Sequence, residues 1–595
     1  MLKKYFLFLV LLLPIPLFAQ APQGGKSLFP QQPALDALKL IGQTEKGKMV
    51  KVPVEGQSFQ EALKLTTLQA SDTPWGVQVT AAVPTPLKAG DVILAEFWVR
   101  AVETKVESGE ANSEFALQRL GEPWTNAVSY DLSIGPRWKK FSVPFKAVED
   151  WGSGKSQICF RMGYHPQAFE LAGLQLTSYG TRLKLQDLPQ TKPTYAGMDA
   201  DASWRKAAAE RIEKIRKGSL LITVKDGEGK PVADAKVSVR MKRHAFGFGT
   251  AVVGSLLSGE GALNDRYRKE VERLFNRVVF ENDLKWGIWE AGASNKDASW
   301  RRQYVENSMK WLSARHFDVR GHNMVWGSWQ YLPKEAKRLQ NDPKAMEEAI
   351  EKRIADVGGT MKGQLVEWDV VNEPVPEHQL TDLLGKEAMV TWYQKARQAD
   401  PKPLLFVNDY PSPDTVGHLE GYDKTIQFLL DHHAPLGGIG LQGHVGGSPW
   451  SIPALLKTLD KLGAHGLPVE ITEYDTGIQD EALDAQFLGD FLTAVFSHPS
   501  SNGFLMWGFW DGAHWHHKAP LLNKDWTGKP SAKTYEDLVF RQWWTNADGT
   551  TGAKGSYQTR GFLGDYEVTV TAGSRSKTIR AKLGGKGLKL PVVLK

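Results

Sequence analysis

Short apolar segments alternate with helical stretches from Phe246 to Gly508, and this alternation constrains the fold more than any other feature of the sequence. Such segments are bounded by polar turns and are too short for buried helices, which indicates buried strands. The eight predicted strands are Phe246–Val252, Arg277–Asn282, Asp318–Val325, Leu365–Glu373, Leu404–Asp409, Gly437–His444, Val469–Glu473 and Gly503–Gly508. The predicted helices between them include Arg266–Phe275, Trp300–Arg315, Lys344–Val357 and Glu481–Phe496. This α/β pattern predicts a (β/α)8 TIM barrel over residues 244–545. The alternative is a doubly wound parallel sheet, but no glycine-rich nucleotide-binding turn follows an early strand.

Strand patterns also fill both flanks of the predicted barrel. Residues 22–190 show strands separated by Gly, Pro and Asp with almost no helical periodicity, which predicts an N-terminal antiparallel β-sandwich. Residues 191–243 contain a charged helix and two strands, and residues 546–595 return to a pure strand pattern. A β tail of about fifty residues is a poor independent domain. We therefore expect it to pack with the strands in residues 219–241, so that segments flanking the barrel form one small β module.

The first 21 residues have the pattern of an export signal. Two lysines precede an unbroken apolar run, and the segment ends in Ala19-Gln-Ala21, which offers small residues at a cleavage site. A membrane anchor is the alternative, but Pro14 and Pro16 interrupt the run. The sequence thus predicts a signal peptide over residues 1–21, a secreted or periplasmic protein, and no membrane association after cleavage.

The amino-acid composition limits which binding partners and which kinds of site the chain can have. The chain has 21 Trp but a single Cys, Cys159, which excludes an intramolecular disulfide and any Cys-based metal site. Lys and Arg number 73 against 67 Asp and Glu, with no dense basic run, so no nucleic-acid partner is expected. Trp joins a wide apolar face to one N–H donor, which suits ligands that are flat and hydroxylated at the rim. We expect a monomer that binds such a ligand.

Polar or aromatic residues follow most of the predicted barrel strands, at the end where such barrels carry their active sites. The series is Glu281, His322, Glu373, Asp409, His444, Glu473 and Trp507, in steps of 29 to 51 residues. Each step is about one strand–helix unit. The sequence therefore brings one functional group per unit to a common face of the barrel.

Glu373 and Glu473 stand out because both follow strongly apolar runs, where an unpaired charge is costly. They lie 100 residues apart, so they can face each other across the mouth of the barrel. Two opposed carboxyl groups are the machinery that cleaves a glycosidic bond. A structural salt bridge is the alternative for either residue alone, but the neighbouring Asn372, Gln442 and His444 favour a catalytic pair.

Four motifs resemble those of glycoside hydrolase family 10, the retaining β-1,4-xylanases. Trp368-Asp-Val-Val-Asn-Glu373 is similar to the acid/base motif of that family, and Ile471-Thr-Glu-Tyr-Asp475 is similar to its nucleophile motif. Two further signatures are similar to Arg320-Gly-His-Asn-Met-Val-Trp326 and Gly438-Ile-Gly-Leu-Gln-Gly-His444. The motifs occur in the order of the family, and the resemblance runs from about residue 245 to residue 540.

The resemblance implies a role for each matching residue. Glu373 would be the general acid and then the general base, and Glu473 would be the nucleophile, with the carboxyl groups about 5–5.5 Å apart. Asn372 would bind the 2-hydroxyl of the sugar, Gln442 would lie near Glu373, and His444 would keep Glu473 ionised. The residues that would hold sugars on the non-reducing side are Glu281, Asn282, Lys285 and His322. Trp326, Trp507 and Trp515 would form the walls and roof of the cleft.

The sequence departs from the family pattern at four positions near the site. Gly327 stands where the family has His, and Asn323 stands where Thr is common. Pro374 replaces the usual Ala and Tyr474 replaces the usual Leu. These changes spare both carboxylates, but they lead us to expect looser sugar contacts beside Gly327.

No cofactor and no metal are predicted. The histidines that could suggest a metal are His432, His433, His514, His516 and His517. No carboxylate lies at ligand spacing from them, so we expect these side chains at the surface or in a loop over the cleft.

The N-terminal sandwich resembles the jelly-roll carbohydrate-binding modules that are often joined to such hydrolases. Its aromatic residues could stack on sugar rings, and they are Trp75, Trp98, Trp124, Tyr130, Trp138, Trp151 and Tyr164. The alternative is that most of them belong to the core. Trp124 and Trp151, in loops flanked by Gly and Pro, are the expected sugar contacts.

The sequence as a whole predicts an exported, endo-acting, retaining β-1,4-xylanase whose partner is the polysaccharide xylan. Two alternatives stay open. The same site could act on another β-1,4-glycan, such as a glucan or a decorated arabinoxylan, or the barrel could bind polysaccharide without cleaving it. The intact pair of Glu373 and Glu473 favours an enzyme.

Overall fold

The computed structural model describes residues 21–104, 110–191, 194–294, 302–413 and 416–595. The predicted signal peptide therefore lies outside the described residues, apart from its last residue. The described residues up to 191 form one compact unit, and those from 194 onward form a second. The fold predicted from the sequence is confirmed in both units, as the following elements show.

The N-terminal unit is a sandwich of two antiparallel sheets. Its strands are β1 (Lys26–Ser27), β2 (Lys39–Gly42), β3 (Gly47–Pro53), β4 (Glu61–Thr67), β5 (Val77–Val83), β6 (Val92–Thr104), β7 (Ala111–Arg119), β8 (Asn126–Ile134), β9 (Lys139–Lys146), β10 (Ser156–Arg161) and β11 (Gln167–Ser178). A short helix, α1 (Ala34–Ala37), follows β1. One sheet has the order β3-β4-β11-β6-β9 with β1 beside β11, and the other has the order β2-β5-β10-β7-β8. Apolar side chains from both sheets form one core that includes Phe97, Phe115 and Phe160.

The second unit begins with α2 (Ser203–Ile215), β12 (Lys217–Asp226) and β13 (Lys236–His244). Strands of the barrel region follow as β14 (Gly247–Val252), β15 (Arg277–Phe280), β16 (Asp318–Gly321), β17 (Val325–Trp326), β18 (Glu367–Asn372), β19 (Leu404–Asp409), β20 (Gly438–Leu441), β21 (His444–Val445), β22 (Val469–Thr476) and β23 (Ser501–Met506). The helices between and after them are α3 (Gly254–Ser258), α4 (Ala262–Leu274), α5 (Trp286–Ser294), α6 (Arg302–Ala314), α7 (Lys334–Lys337), α8 (Pro343–Thr360), α9 (Gln379–Leu384), α10 (Ala388–Ala399), α11 (Val416–Asp431), α12 (Ile452–Gly463), α13 (Glu481–Ser497) and α14 (Pro530–Asp537).

Eight parallel strands close into a barrel in the order β14-β15-β16-β18-β19-β20-β22-β23, and β23 pairs with β14 again. The short strands β17 and β21 extend the sheet beside β18 and β22. Three helix starts are fixed by side-chain caps: Asp342, Ser451 and Asp480 accept backbone N–H donors at the starts of α8, α12 and α13. Such caps contribute about 1 kcal/mol each to helix stability.

The barrel interior holds a buried ion cluster that the sequence analysis did not anticipate. Arg320 Nη1 lies 2.9 Å from Glu470 Oε2, and Arg277 Nη1 lies 2.6 Å from Glu470 Oε1. Arg320 also pairs with Asp369 and, at 3.2 Å, with Glu367. Burial and the neighbouring Glu367 raise the pKa of Glu470 to about 8, although both arginines oppose that shift. Removing one partner would leave a buried charge unpaired, so we expect substitution of any single member of the cluster to destabilise the fold.

Strands from both flanks of the barrel form the small β module. The C-terminal strands are β24 (Asn546–Thr550), β25 (Ser556–Phe562), β26 (Gly564–Ala572), β27 (Arg575–Leu583) and β28 (Leu588–Leu594). One sheet has the order β25-β12-β28 and the other has the order β24-β13-β26-β27. Both strands that precede the barrel, β12 and β13, are therefore flanked on each side by strands that follow it.

Deletion of residues 546–595 should make the chain insoluble or sharply lower its soluble yield. Both sides of β12 and β13 would lose their neighbours, and buried side chains such as Val237 and Val239 would be exposed. We expect at least a several-fold loss of soluble protein, measured by fractionation of expressing cells. A truncated chain with the yield and melting temperature of the full chain would show that the module contributes nothing to stability.

None of the helices in the described part of the chain is long and apolar enough to cross a membrane.

Candidate active site

The carboxyl ends of the barrel strands bring the predicted site residues together. Glu373 follows β18 directly and Glu473 lies in β22, and both side chains are buried. The other predicted site residues lie at or just beyond neighbouring strand ends: Glu281, Asn282 and Lys285 after β15, His322 after β16, Trp326 in β17, Asn372 in β18, Gln442 after β20, His444 in β21, and Trp507 and Trp515 after β23. No member of the predicted set lies elsewhere in the fold.

Glu373 is held by two neutral donors. Trp326 Nε1 donates to its Oε2 over 2.9 Å, and Gln442 Nε2 donates to its Oε1 over 2.9 Å. Its backbone has φ +53°, in the left-handed region that L residues other than Asn and Asp seldom adopt. The backbone N–H of Glu373 donates to Asn408 O over 2.7 Å, and the next turn is fixed by a bond from Val375 N–H to Asp409 Oδ2. Such a constrained conformation is typical of catalytic positions.

Glu473 lies among groups that favour its ionised form. Asn408 Nδ2 donates to its Oε1 over 2.7 Å, and His444 Nε2 lies 3.4 Å from its Oε2. His322 Nδ1 lies 3.9 Å from Oε1. Burial raises the pKa of Glu473, but the charge of His322, the hydrogen bond and charge of His444 and the charge of Lys285 together outweigh that effect and leave this pKa below its ordinary value. A carboxyl group that stays ionised while buried has the state that a nucleophile requires.

Two buried aspartates orient the histidines beside Glu473. Asp475 Oδ1 lies 2.8 Å from His444 Nδ1, so the other ring nitrogen faces Glu473. Asp369 Oδ2 lies 2.9 Å from His322 Nδ1, and Asp369 is itself paired with Arg320 in the buried ion cluster. The nucleophile candidate is therefore connected to the barrel interior through His322, Asp369 and Arg320.

Asn408, at the end of β19, contacts both halves of the site and was not among the predicted site residues. Its Nδ2 donates to Glu473 and, over 2.9 Å, to Asn372 Oδ1, while Thr472 Oγ1 donates to its Oδ1 over 2.6 Å. The bond from Thr472 fixes which end of the amide faces the carboxylate. A Cβ at Gly440 would lie 2.3 Å from Asn408 Oδ1, so the glycine at that position gives the amide its space.

Replacing Asn408 with alanine should lower kcat/KM by about ten- to a hundredfold, since a hydrogen bond to a charged group contributes about 1.5–3 kcal/mol. Loss of the Nδ2 donor should also raise the pKa of Glu473. The acid limb of the kcat/KM profile against pH should therefore move to higher pH, because Glu473 must be ionised to react.

Asn523→Ala is the matched control, because Asn523 Nδ2 binds Thr527 on an exposed turn. The control should keep the parent rate and profile. An Asn408→Ala variant with a lower rate but an unmoved acid limb would show that Asn408 does not act on the ionisation of Glu473.

The candidate sugar-contacting residues on the opposite wall are linked to one another. Asn282 Nδ2 donates to Glu281 Oε1 over 3.1 Å, and Lys285 Nζ donates to Asn282 Oδ1 over 2.9 Å. Lys285 Nζ also lies over the rings of Trp326 and Trp507, at 5.1 and 5.7 Å from their centroids. Burial raises the pKa of Glu281 above its ordinary value, although Lys285 and Asn282 oppose the shift. This group offers donors and acceptors for several hydroxyls.

Aromatic rings line the cleft at different depths. Trp507 is buried in a small apolar cluster and meets the ring of His322 edge-on at 5.1 Å. Trp515 is 41 % exposed and anchored by a 2.6 Å hydrogen bond from its Nε1 to Asp475 Oδ2. Trp326 stacks on Tyr331 with 3.7 Å between the ring centroids, which adds an aromatic residue that the sequence analysis did not select.

The backbone of the loop after Glu373 fills the space beside Gly327. A Cβ at Gly327 would lie 2.2 Å from Glu377 O, and Leu380 N–H donates to Gly327 O over 3.2 Å. The position is packed by the backbone of the neighbouring loop, and the looser sugar contacts expected beside Gly327 stay a prediction. Gly327 therefore lets two loops of the cleft approach closely.

His514 is buried and lies 3.6 Å from Asp475 Oδ2, so it is a second neighbour of the aspartate that orients His444. Burial lowers its pKa to about 4. Across the described ranges, no group of three or more His, Cys, Asp or Glu side chains is arranged to hold a metal ion.

Comparison with known proteins gives one family and many relatives. The family model described as glycosyl hydrolase family 10 matches residues 239–537. Anti-sigma-I factor RsgI6 of Acetivibrio thermocellus is 32% identical over 394 residues, which cover 65% of this chain and 49% of that protein. Endo-1,4-beta-xylanase 1 of Arabidopsis thaliana is 30% identical over 373 residues, which cover 62% of this chain and 38% of that protein.

The chain thus spans half or less of the length of these two relatives. Among solved structures, native xylanase 10B from Thermotoga maritima is 22% identical, with a TM-score of 0.45, and the match covers 50% of this chain and 96% of that one.

Proposed function

The chain belongs to glycosyl hydrolase family 10, and on this premise we propose that it cleaves internal β-1,4-xylosidic bonds of xylan by double displacement. The observation that carries the proposal is a pair of buried carboxyl groups with different surroundings. Glu473 is kept ionised by histidines and an amide, whereas Glu373 lies between two neutral donors. Different surroundings are what separate a nucleophile from a proton donor.

In the first step Glu473 attacks the anomeric carbon of the sugar. The bond from that carbon to the leaving oxygen breaks, and Glu373 transfers its proton to that oxygen. A glycosyl ester on Glu473 and an ionised Glu373 remain. Gln442 and Trp326 donate to the oxygens of Glu373 and so hold the carboxyl group toward the leaving group through both protonation states.

In the second step Glu373 removes a proton from a water molecule, whose oxygen attacks the anomeric carbon. The ester bond breaks and Glu473 returns to the carboxylate form, so the two inversions give net retention. Asn408 donates to Glu473 throughout and stabilises it as the leaving carboxylate.

Asn372 supplies recognition of the sugar at the reacting carbon. Its Oδ1 accepts from Asn408, while its buried Nδ2 has no hydrogen-bond partner among the described residues. A buried donor without a partner costs free energy in the absence of ligand. A 2-hydroxyl of the bound sugar would satisfy it.

Product analysis on a panel of linear xylan, arabinoxylan and cellulose tests the proposal. We expect a rapid fall in the viscosity of linear xylan with release of short oligosaccharides, since internal bonds are cleaved. Cleavage of cellulose with little action on xylan would assign the same site to a glucan. Binding of xylan without any hydrolysis would make the chain a polysaccharide-binding protein.

We also propose that the protein is exported and secreted or periplasmic. Support comes from the charged start, the apolar run and the small residues Ala19 and Ala21. N-terminal sequencing of protein recovered outside the cytoplasm should begin at residue 20 or residue 22. Recovery of the protein with an intact first segment in the cytoplasm would overturn this assignment.

A further inference from the structure

The indole of Trp326 contacts the acid/base candidate Glu373 through its edge. Its Nε1 donates to Glu373 Oε2 over 2.9 Å and is one of the two donors that hold this carboxyl group. An indole has a single N–H donor that lies in the plane of the ring, so the direction of the donor depends on how the whole ring is oriented. Whatever fixes the plane of this indole therefore also fixes where the carboxyl group is held.

The apolar core of the barrel does not supply that support. Trp326 is only partly buried, and among the described residues it belongs to none of the apolar clusters, although its neighbours Val325 and Trp329 pack in the main one. The outer side-chain torsion of a tryptophan is broad, so an indole that is not packed from the side can turn. The orientation of the ring must therefore come from the groups that lie over its faces.

Tyr331 is the group that can set the plane of the indole. The two rings are stacked with 3.7 Å between their centroids and 16° between their planes. Lys285 Nζ also lies near the indole, 5.1 Å from its centroid, but an ammonium is a point contact and does not fix the tilt of a ring. A parallel aromatic ring does fix it, because rotation of either ring would break the stack.

Tyr331 is itself placed by the backbone of its loop. Its N–H donates to Ser328 O over 3.1 Å, and Lys337 Nζ donates to the carbonyl of the preceding Gln330 over 2.9 Å. The next residue, Leu332, is buried in the main apolar cluster and anchors the end of the loop. The side chain of Tyr331 remains 41 % exposed, so it adds little to the core. Its stack on the indole is the contact that calls for a role.

We propose that Tyr331 is a positioning residue for the proton transfers of Glu373 and that it acts through Trp326. The stacked ring holds the indole in the plane that aims Nε1 at the carboxyl group, and the carboxyl group is thereby kept directed at the leaving oxygen. Loss of the stack would weaken a hydrogen bond to an ionisable group, an effect of about tenfold in rate. The role of Glu373 as acid and base rests on the proposed function.

Steady-state kinetics of Tyr331→Leu in the full chain test the proposal. Leucine removes the ring, so kcat on soluble xylan should fall about tenfold, while KM should change by less than about twofold because the sugar contacts remain. Tyr331→Phe keeps the ring and loses only the hydroxyl, so it should retain kcat within about twofold of the parent. Tyr331→Gln is a second variant without a ring and should behave like the leucine variant.

The leaving group separates this role from a general effect on the cleft. On a dinitrophenyl β-xyloside the phenolate leaves without a proton, so kcat/KM, which reports the first step, should be the same in Tyr331→Leu and in the parent. Tyr557→Leu is the matched control, because it makes the same change in β25 of the small β module. The control should keep the parent rate on both substrates.

Equal losses of Tyr331→Leu on xylan and on the dinitrophenyl substrate would overturn the proposal, since the damage would not depend on proton transfer. A parent-like kcat in that variant would also overturn it, and so would a Tyr331→Phe variant as slow as Tyr331→Leu. A higher KM with an unchanged kcat would make Tyr331 a sugar contact instead. If the parent cleaves glucan and not xylan, the same comparison is made on glucan and a dinitrophenyl β-glucoside, so failure of the proposed substrate is distinguishable from failure of this assignment.

Discussion

Replacing Glu473 with glutamine is expected to abolish hydrolysis, with a fall in kcat/KM of at least about 10⁴-fold. Glutamine keeps the size of the side chain and can still contact Asn408 and His444, but its amide cannot form the glycosyl ester. The fold should therefore be unchanged while the first step is lost. Release of reducing ends from xylan, followed over hours, measures the residual rate.

Two additional measurements separate loss of the nucleophile from damage to the fold. Glu481→Gln makes the same chemical change on the exposed first turn of α13 and should retain the parent rate. Glu473→Gly, given an aryl β-xyloside and azide, should regain activity, because azide can occupy the vacated space. Azide would attack the anomeric carbon, the phenolate would leave, and the product would be the α-glycosyl azide.

Retention of substantial activity in Glu473→Gln would contradict the assigned mechanism, and so would a β-glycosyl azide as the rescue product. The first result would mean that another group attacks the sugar. The second would mean that azide acts on the face opposite to the one that Glu473 is assigned. The melting temperature of each Glu473 variant should be compared with that of Glu481→Gln, so that a change in activity is not confused with damage to the fold.

Hydrophobic periodicity was sufficient to predict the barrel, because each strand is an apolar run that only a buried parallel sheet can accept. The predicted strand ends differ from the observed ones where hydrogen bonding to a neighbouring strand extends a strand beyond its apolar run. The strand predicted as Val469–Glu473 continues to Thr476, since β21 pairs with its last residues. The partners of β12 and β13 were expected because isolated strands and an isolated tail both need a second sheet.

The residues that the sequence did not indicate are those whose roles depend on which way a strand residue points. Asn408 precedes the selected Asp409, and only the closed barrel shows that its amide reaches Glu473. Asp475 and Asp369 lay within the quoted motifs, but a motif does not tell which histidine each aspartate orients. A useful signal was present in Gly440, because a glycine inside a strand marks a close approach by a neighbouring group.

The aromatic residues of the sandwich show more clearly that local sequence does not reveal which side chains are exposed. Trp151 and Trp124 both follow Gly, Pro or acidic loop residues, and local sequence does not distinguish them. Trp151 is drawn inward because its N–H and C=O bond to Leu87, whereas Trp124 lies in a hairpin turn at φ +57°. Tertiary pairing therefore decides which of these two side chains is exposed.

Replacing Glu373 with alanine should have an effect that depends on the leaving group. On xylan the departing sugar oxygen needs a proton, so kcat/KM should fall by about 10²- to 10⁴-fold. On a dinitrophenyl β-xyloside the phenolate leaves without a proton, so the first step should be nearly as fast as in the parent. The second step would still lack its general base, and the glycosyl ester on Glu473 should accumulate as a burst of dinitrophenolate.

The pH profile gives an independent reading of the same variant. The parent should lose kcat/KM on xylan at high pH as Glu373 gives up its proton, and the alanine variant should lack that basic limb. The acid limb, which reports Glu473, should remain in both. A steady-state profile on xylan, recorded for the parent and the Glu373→Ala variant on one pH series, measures both limbs.

Azide can replace water in the second step without a general base, because it is already an anion. It should restore kcat of Glu373→Ala on the dinitrophenyl substrate and give the β-glycosyl azide, the opposite anomer to the product expected from Glu473→Gly. Equal losses on xylan and on the activated substrate would contradict the role of Glu373 as acid and base. The pair of anomers assigns one face of the sugar to each carboxyl group, which neither rate alone can do.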